Sequence, residues 1–210
     1  MPLTAYRGHG SGDTYAHYER LFQHNDGTGL YTLPGIMQFV TFLIDVSQQT
    51  GVNEFQVFPA CLVTMSVDEI ERAVAEGGDP EKAFKLLNVV GTTVAKLTRR
   101  ADRAGRFDHT FTLLLTRAMA RSVREHYVRR TAERLREVTQ EAGMATNFCF
   151  GVASLTEHLV TDTDDMLRKS LRALRCAQRR EPEAVELGPA TVAVFDFRTM
   201  SLDEIAGVPK

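Results

Sequence analysis

The stretch RRADRAGRFDHTFTLLL, Arg99 to Leu115, decides how this 210-residue chain is read. Its second half, Phe107 to Leu115, is an apolar run of the kind that forms a buried strand. Its first half is basic and sets Arg99 three residues before Asp102. Arginine offers a planar fork of donors to an anion such as a phosphate, and aspartate accepts from N–H groups. Two such side chains at a helix end that leads into a turn can face one ligand.

Outward from this stretch, the charge is uneven. Lys96 to Arg136 holds twelve Lys and Arg against four Asp and Glu, a local charge of +8. The whole chain is −2, so the remainder carries −10. Such a segment suits an anionic partner: a nucleotide, a nucleic acid or an acidic protein surface. A solvated, arginine-rich helix face is the plainer alternative. Composition is that of an ordinary globular domain, 43% hydrophobic and 25% charged. Cys61, Cys149 and Cys176 are isolated among apolar neighbours and read as buried thiols of a reducing compartment, which excludes a disulfide scaffold. The histidines show no ligand spacing with one another or with cysteine, so no metal is expected. No apolar run is long enough to span a bilayer, and Met1 to Asp13 lacks the apolar core of a signal peptide. A cytoplasmic location is expected.

Hydrophobic spacing gives alternating elements. A helix is expected over Asp13 to Phe22, a turn over His24 to Gly29, and a helix from Pro34 to about Gln49 with Ile36, Phe39, Val40, Leu43 and Ile44 inward. Gln56 to Val67 reads as a strand. Asp79-Pro80 opens a helix with Phe84, Leu87, Val90, Val94 and Leu97 on one face. Met119, Val123, Tyr127, Thr131, Leu135 and Val138 mark another long helix. Thr146 to Ala153 and Thr191 to Phe197 are strands, separated by a helix that carries Leu167, Leu171 and Leu174. Asp162, Asp164 and Asp165 read as its cap. This alternation predicts a single α/β layered domain.

Several segments, in order, resemble the diguanylate cyclase (GGDEF) family. Asn25 to Leu33 reads NDGTGLYTL, similar to the family's opening DxLTGLYNR. Arg99 to Asp102 resembles the family's RxxD, and the following DHTFTLLL stands where RYGGDEFAVLL continues. Ala132 to Arg136 repeats AERLR, FCFGVA from Phe148 resembles VSIGVA, and MLRKSLRALRCAQ from Met166 resembles LLxxADxALYxAK. The resemblance implies a central, mostly antiparallel sheet flanked by helices, spanning residues 25–198. A helical lead (1–24) precedes it and a flexible tail (199–210) follows.

The resemblance also implies where this chain departs. Family members hold two metal ions with carboxylates to join GTP into cyclic di-GMP. The first strand here places Ser66 at the metal-ligand position, with Asp68 as a residual ligand if the register slips by one. The GGDEF turn has become Asp108-His109-Thr110, one residue short and without glycines, and Thr110 stands where an acid belongs. The family's phosphate-facing lysine is Gln178. These departures imply a degenerate site and no cyclase activity. The positions of the product-binding inhibitory site remain: Arg99 and Asp102 match RxxD, and Arg134 matches an arginine that completes the site from the same or a neighbouring domain.

The expectation is therefore a non-catalytic bacterial GGDEF-like domain acting as a cyclic di-GMP receptor or adaptor that signals to a protein partner. It needs no cofactor or metal and has no membrane or nucleic-acid role. Tyr15, Tyr18, Leu21 and Phe22 are expected to supply a homodimer seam. The alternatives are a ligand-independent interaction module, with Phe107 to Leu115 and the arginine-rich helix as docking surface, and a residual GTP-binding or cyclase site using Asp68.

Overall fold

The computed structural model describes residues 28–49, 59–76 and 79–200. The expected first helix with its dimer seam, the start of the turn at His24, and the tail from Ser201 lie outside the described residues. The elements are β1 (Tyr31–Thr32), α1 (Leu33–Gln49), β2 (Ala60–Val67), α2 (Asp68–Glu76), α3 (Pro80–Leu97), β3 (Arg103–Phe107) and β4 (Thr110–Thr116). A short α4 (Ala120–Ser122) runs through a π-helical turn (Val123–Val128) into α5 (Arg129–Glu141). Then come β5 (Phe148–Ser154), α6 (Thr163–Arg179), β6 (Val185–Leu187) and β7 (Ala190–Val194).

The seven strands form one sheet in the order β1-β3-β4-β2-β5-β7-β6. Its pairings are antiparallel except β1 with β3 and β5 with β7. Helices cover both faces, so the central strands are buried on both sides and read as continuous apolar runs. In β2, Cys61, Val63, Met65 and Val67 pack toward α3 and α5, among Leu86, Val90, Val94, Val128 and Leu135. Ala60 and Leu62 pack toward α1 and α6, among Ile36, Val40, Met166 and Leu167. Thr64 and Ser66, on the second face by the same alternation, bond to α6: Thr64 Oγ1 donates to Ser170 O (2.9 Å), and Gln178 Nε2 donates to Ser66 Oγ (3.0 Å).

Four departures from the sequence reading have physical reasons. Phe107 to Leu115 is not one strand but a hairpin, because Asp108 adopts φ 50° and turns the chain between Phe107 and its partner Thr110. On α3 the buried face is Leu86, Val90, Gly91, Thr93 and Val94, leaving Phe84 60% exposed. Gly91 turns inward because Thr28 and Leu30 pass close by; a Cβ there would meet Thr28 Cγ2 at 3.2 Å. On the long helix, the π turn adds Val128 as a fully buried residue beside Tyr127, which stays packed against the same core, while Met119, at the N-cap ahead of the turn, is 45% exposed. Strand β6 and helix α2 carry too few periodic residues to announce themselves. Among the described residues, no helix is long and apolar enough to cross a membrane.

Asp162 caps α6 as expected, its Oδ1 accepting from Asp165 N–H at 2.8 Å. Nearby, buried His158 accepts from Ser154 N–H through Nδ1 (2.8 Å). Lys169 Nζ donates to His158 O (2.9 Å) and to the Asp165 carboxylate (2.7 Å). Burial holds the His158 imidazole below its ordinary 6.5. Its stabilising contribution is present above that value and lost as pH falls through it, since the unfolded chain binds the extra proton more readily. His109 runs the other way: its hydrogen bond with Glu71 raises it, so its contribution exists at low pH and disappears as pH rises. His158 should dominate, because it is 9% exposed while the His109 side chain is 32% exposed and screened. Urea-melt stability is therefore expected to fall between pH 7 and pH 5, and His158→Asn, which keeps an acceptor but does not titrate, should flatten that slope. An unchanged slope in the variant would remove His158 as its cause.

Candidate functional site

Two regions hold the residues singled out from sequence. The first is the end of the sheet where β2 and the β3–β4 turn meet. Met65 pairs with Phe111, which sets Ser66 beside Thr110 at the strand ends. Ser66 is fully buried, and the amide of Gln178 reaches it from the last turn of α6. Asp68 opens α2: its N–H donates to Asn147 O (3.1 Å), and its Oδ1 lies 3.5 Å from the Cys149 thiol. Burial, then the Asp68 charge, pushes that thiol up to about 12, so it stays a neutral donor. Asp108 is exposed on the turn, and His109 Nε2 lies 3.4 Å from Glu71 Oε1 on α2. Ser66, Asp68, His109 and Gln178 thus each have a partner within the protein.

One group of three metal-ligating side chains lies elsewhere among the described residues: Cys176, Glu181 and Glu183, with ligand atoms within 4.8 Å of one another. Glu181 is already gripped by Arg172, at 3.1 and 3.2 Å to Oε2. Burial pushes the Cys176 thiol up to about 12. The group is held as an ion pair beside a neutral thiol, which is not the charge state a divalent cation needs.

The second region is the turn between α3 and β3. Thr98 ends α3 by returning both its N–H (3.0 Å) and its hydroxyl (2.7 Å) to Val94 O. The chain then folds so that Asp102 N–H donates to Arg99 O (2.9 Å). Asp102 is only 8% exposed; its Oδ1 accepts from Thr116 N–H (2.9 Å) and Thr116 Oγ1 (3.2 Å), which fastens the turn to the end of β4. Arg103 adds a second fastening. Its guanidinium donates to Arg100 O and Asp102 O, both at 2.8 Å, and lies 4.7 Å from the centre of the Phe39 ring. Arg99 is exposed on this rigid turn.

Arg99 and Asp102 line two shallow depressions, each of about 170 Å³. The first continues over Gly29 to Tyr31, Arg100 and Arg103. The second is walled by Thr116, Arg117, His126 and Tyr127 of the π-helical turn, Ser122 just before it and Arg130 just after it. Five arginines against one aspartate make the pair of depressions strongly anion-attracting. Arg134 lines neither depression; it is exposed one turn further on and pairs with Glu137 at 2.7 Å. Tyr127, expected on the core stripe, does pack against the core, and His126 and Arg130 stand beside it at helical spacing on the face that meets the turn.

No family model and no curated protein matches this sequence. Solved structures do. The GGDEF domain of YfiN (TpbB) from Pseudomonas aeruginosa superposes with a TM-score of 0.59 at 15% identity, covering 82% of this chain and 95% of that one. The GGDEF domain of DgcB from Caulobacter crescentus, solved in complex with c-di-GMP, gives 0.55 at 15% identity, covering 74% and 88%. The diguanylate cyclase SiaD of Pseudomonas aeruginosa, solved with its activator SiaC, gives 0.56 at 17% identity, covering 80% and 66%. The fold is therefore that of the GGDEF domains of diguanylate cyclases: a single α/β domain with a mixed sheet between two layers of helices.

Proposed function

We propose that this chain is a catalytically inactive GGDEF-like domain that binds cyclic di-GMP through Arg99 and Asp102 and passes its occupancy to a protein partner. The observation that carries the reading is the doubly fastened turn, which holds an exposed arginine and a nearly buried carboxylate between two equal depressions. A ligand with two base-and-phosphate halves suits two such lobes meeting at an Arg–Asp pair. Arg134, turned outward, suits contact with a ligand held by a neighbouring copy. An activator bound to the similar cyclase SiaD supports a protein partner for this fold.

Inactivity is supported at the other end of the sheet. Two-metal phosphoryl transfer needs converging carboxylates, whereas Ser66 and Gln178 are bonded to each other and Asp68 faces a thiol. The residues there do not fit a metal pair. Purified protein with GTP and Mg²⁺ is expected to make no cyclic di-GMP; turnover that Asp68→Ala abolishes would show a working site. Of the rival docking surface, β4 is unavailable, since it is buried between β3 and β2, with Phe111 and Leu113 at 0% exposure. Titration calorimetry with cyclic di-GMP and with GTP tests the reading. Binding of the first alone is expected, and absence of binding at tens of micromolar would leave a ligand-independent interaction module as the better account.

A further inference from the structure

We propose that Arg103 couples the Arg99–Asp102 turn to helix α1, its guanidinium stacking on Phe39, so that occupancy of the turn is felt in α1. The coupling rests on the receptor reading for its ligand; the contacts that carry it do not. Arg103 opens β3 and stands directly after Asp102. Its Nη1 donates to both Arg100 O and Asp102 O at 2.8 Å, so one nitrogen grips two carbonyls of the turn. The same guanidinium lies 4.7 Å from the centre of the Phe39 ring and 6.0 Å from that of Tyr31, within reach of a cation–π contact. Phe39 and Tyr31 meet edge to face, their centres 5.4 Å apart. The cation therefore bridges the ligand turn and an aromatic pair that joins β1 to α1.

Little else sets the place of this cation. Its Nε is buried without a partner, and Arg103 makes no ion pair among the described residues. The turn carbonyls on one side and the aromatic face on the other decide where the guanidinium sits, so a shift of either moves it against the other. Helix α1 is seated otherwise by Ile36, which lies against Gly105 of β3, and by Thr41 Oγ1, 2.9 Å from Thr163 Oγ1 of α6. Neither contact touches the turn. A ligand clasped by Arg99 and Asp102 fixes the turn and its carbonyls, and thereby favours the stacked guanidinium. Binding linkage is reciprocal, so the stack favours the ligand by the same factor. Phe39 lines neither depression, and any effect it has on binding must travel through Arg103.

The test uses the full chain and its Phe39→Leu, Phe39→Trp, Arg103→Met and Phe42→Leu variants. Hydrogen exchange at the Asp102 amide, which donates to Arg99 O, reads the turn with no ligand added. Phe39→Leu and Arg103→Met are expected to speed that exchange roughly two- to thirtyfold, the range a cation–π contact supplies, by more than they speed the amides of β5. Phe39→Trp keeps an aromatic face and should hold the slow rate. Phe42, 46% exposed and three residues further along α1, should change nothing when cut to leucine. Calorimetry with cyclic di-GMP should follow the same pattern, with Phe39→Leu weakening binding about two- to thirtyfold and Phe39→Trp leaving it near that of the unaltered chain. The chain contains no tryptophan, so Phe39→Trp carries a single emitter. Its emission is expected to change on saturation with cyclic di-GMP, and to stay unchanged once Arg103→Met is added. If cyclic di-GMP binds and Phe39→Leu alters neither its affinity nor the Asp102 exchange rate, or only one of the two, the receptor reading stands and the coupling is overturned. If cyclic di-GMP does not bind, the receptor reading fails and the exchange rates alone decide the coupling: an unaltered Asp102 rate in Phe39→Leu overturns it. Equal acceleration of the Asp102 and β5 amides, or as much acceleration by Phe39→Trp as by Phe39→Leu, would make Phe39 a general packing residue and overturn the proposal as well.

Discussion

Gly151→Ala is expected to lower folding stability by about 4 kcal/mol or more, enough to leave much of the chain unfolded at 37 °C. Gly151 sits mid-strand in β5, paired across with Thr64 of β2. Helix α6 lies on it so closely that a Cβ would run into the backbone of Ser170 and Leu174. These are main-chain atoms, not the tip of a side chain that swings aside. Admitting one methyl group therefore means lifting the whole helix. Alanine in a strand regains about 0.5–1 kcal/mol of backbone entropy relative to glycine, too little to offset that displacement. The same contact lets Thr64 Oγ1 reach Ser170 O, and it seats α6 so that Gln178 meets Ser66. Thr64→Val, which loses the buried hydrogen bond at nearly constant volume, should cost about 1–2 kcal/mol and isolates that part. Denaturant midpoints decide the matter. A Gly151→Ala variant within 1 kcal/mol of the unaltered chain would mean that α6 does not sit on β5 in this way.

What the sequence discloses follows from which elements are buried on two faces. Strands β2, β4, β5 and β7 are continuous apolar runs, and the helices α1, α3 and α6 carry a cap or a starting proline, so periodicity finds them. Strand β3, Arg103 to Phe107, reads RAGRF and shows no alternation. It is a strand because Gly105 lets Tyr31 O and Ile36 approach, a Cβ there meeting Tyr31 O at 2.8 Å, and because Arg103 covers Phe39. Both are tertiary reasons, invisible to local propensity. The two-residue β1 exists only as its partner.

The site divides along the same line. An Arg–Asp pair on a turn before a strand is legible from spacing, and the structure sets Arg99 and Asp102 on the two depressions together. The wall opposite them is a helix face: Val123, His126, Tyr127 and Arg130 stand at i, i+3, i+4 and i+7 and so share one side. That this side meets the turn is a tertiary fact that spacing does not announce. Tyr127 remains packed against the core there, and Arg134 stays outside both depressions. Burial also changes what Asp102 means. Spacing shows only its carboxylate as a ligand acceptor, whereas its Oδ1 holds Thr116 from inside the protein.

Arg99→Ala is therefore the cleaner probe of the receptor reading, and it is expected to weaken cyclic di-GMP binding by 30-fold up to a few thousandfold. Removing one charge-assisted, bidentate partner from a desolvated contact costs about 2–5 kcal/mol, which is that range. Its Tm should match that of the unaltered chain, since Arg99 is exposed and makes no ion pair among the described residues. Asp102→Ala should also abolish binding, but with a loss of stability of about 1–3 kcal/mol, because Thr116 is left with unpaired donors. Asp102→Asn separates the two roles. An amide oxygen can still accept from Thr116, so most stability returns, while the negative charge that attracts guanine N–H groups is gone and binding stays weak. Arg100→Ala is not expected to be neutral for binding either, since Arg100 lines the first depression. If Asp102→Asn restores binding together with stability, the carboxylate serves only to fasten the turn. Arg99 would then be the charged contact that remains of the pair, and the Arg–Asp recognition of guanine would be lost as an explanation of selectivity.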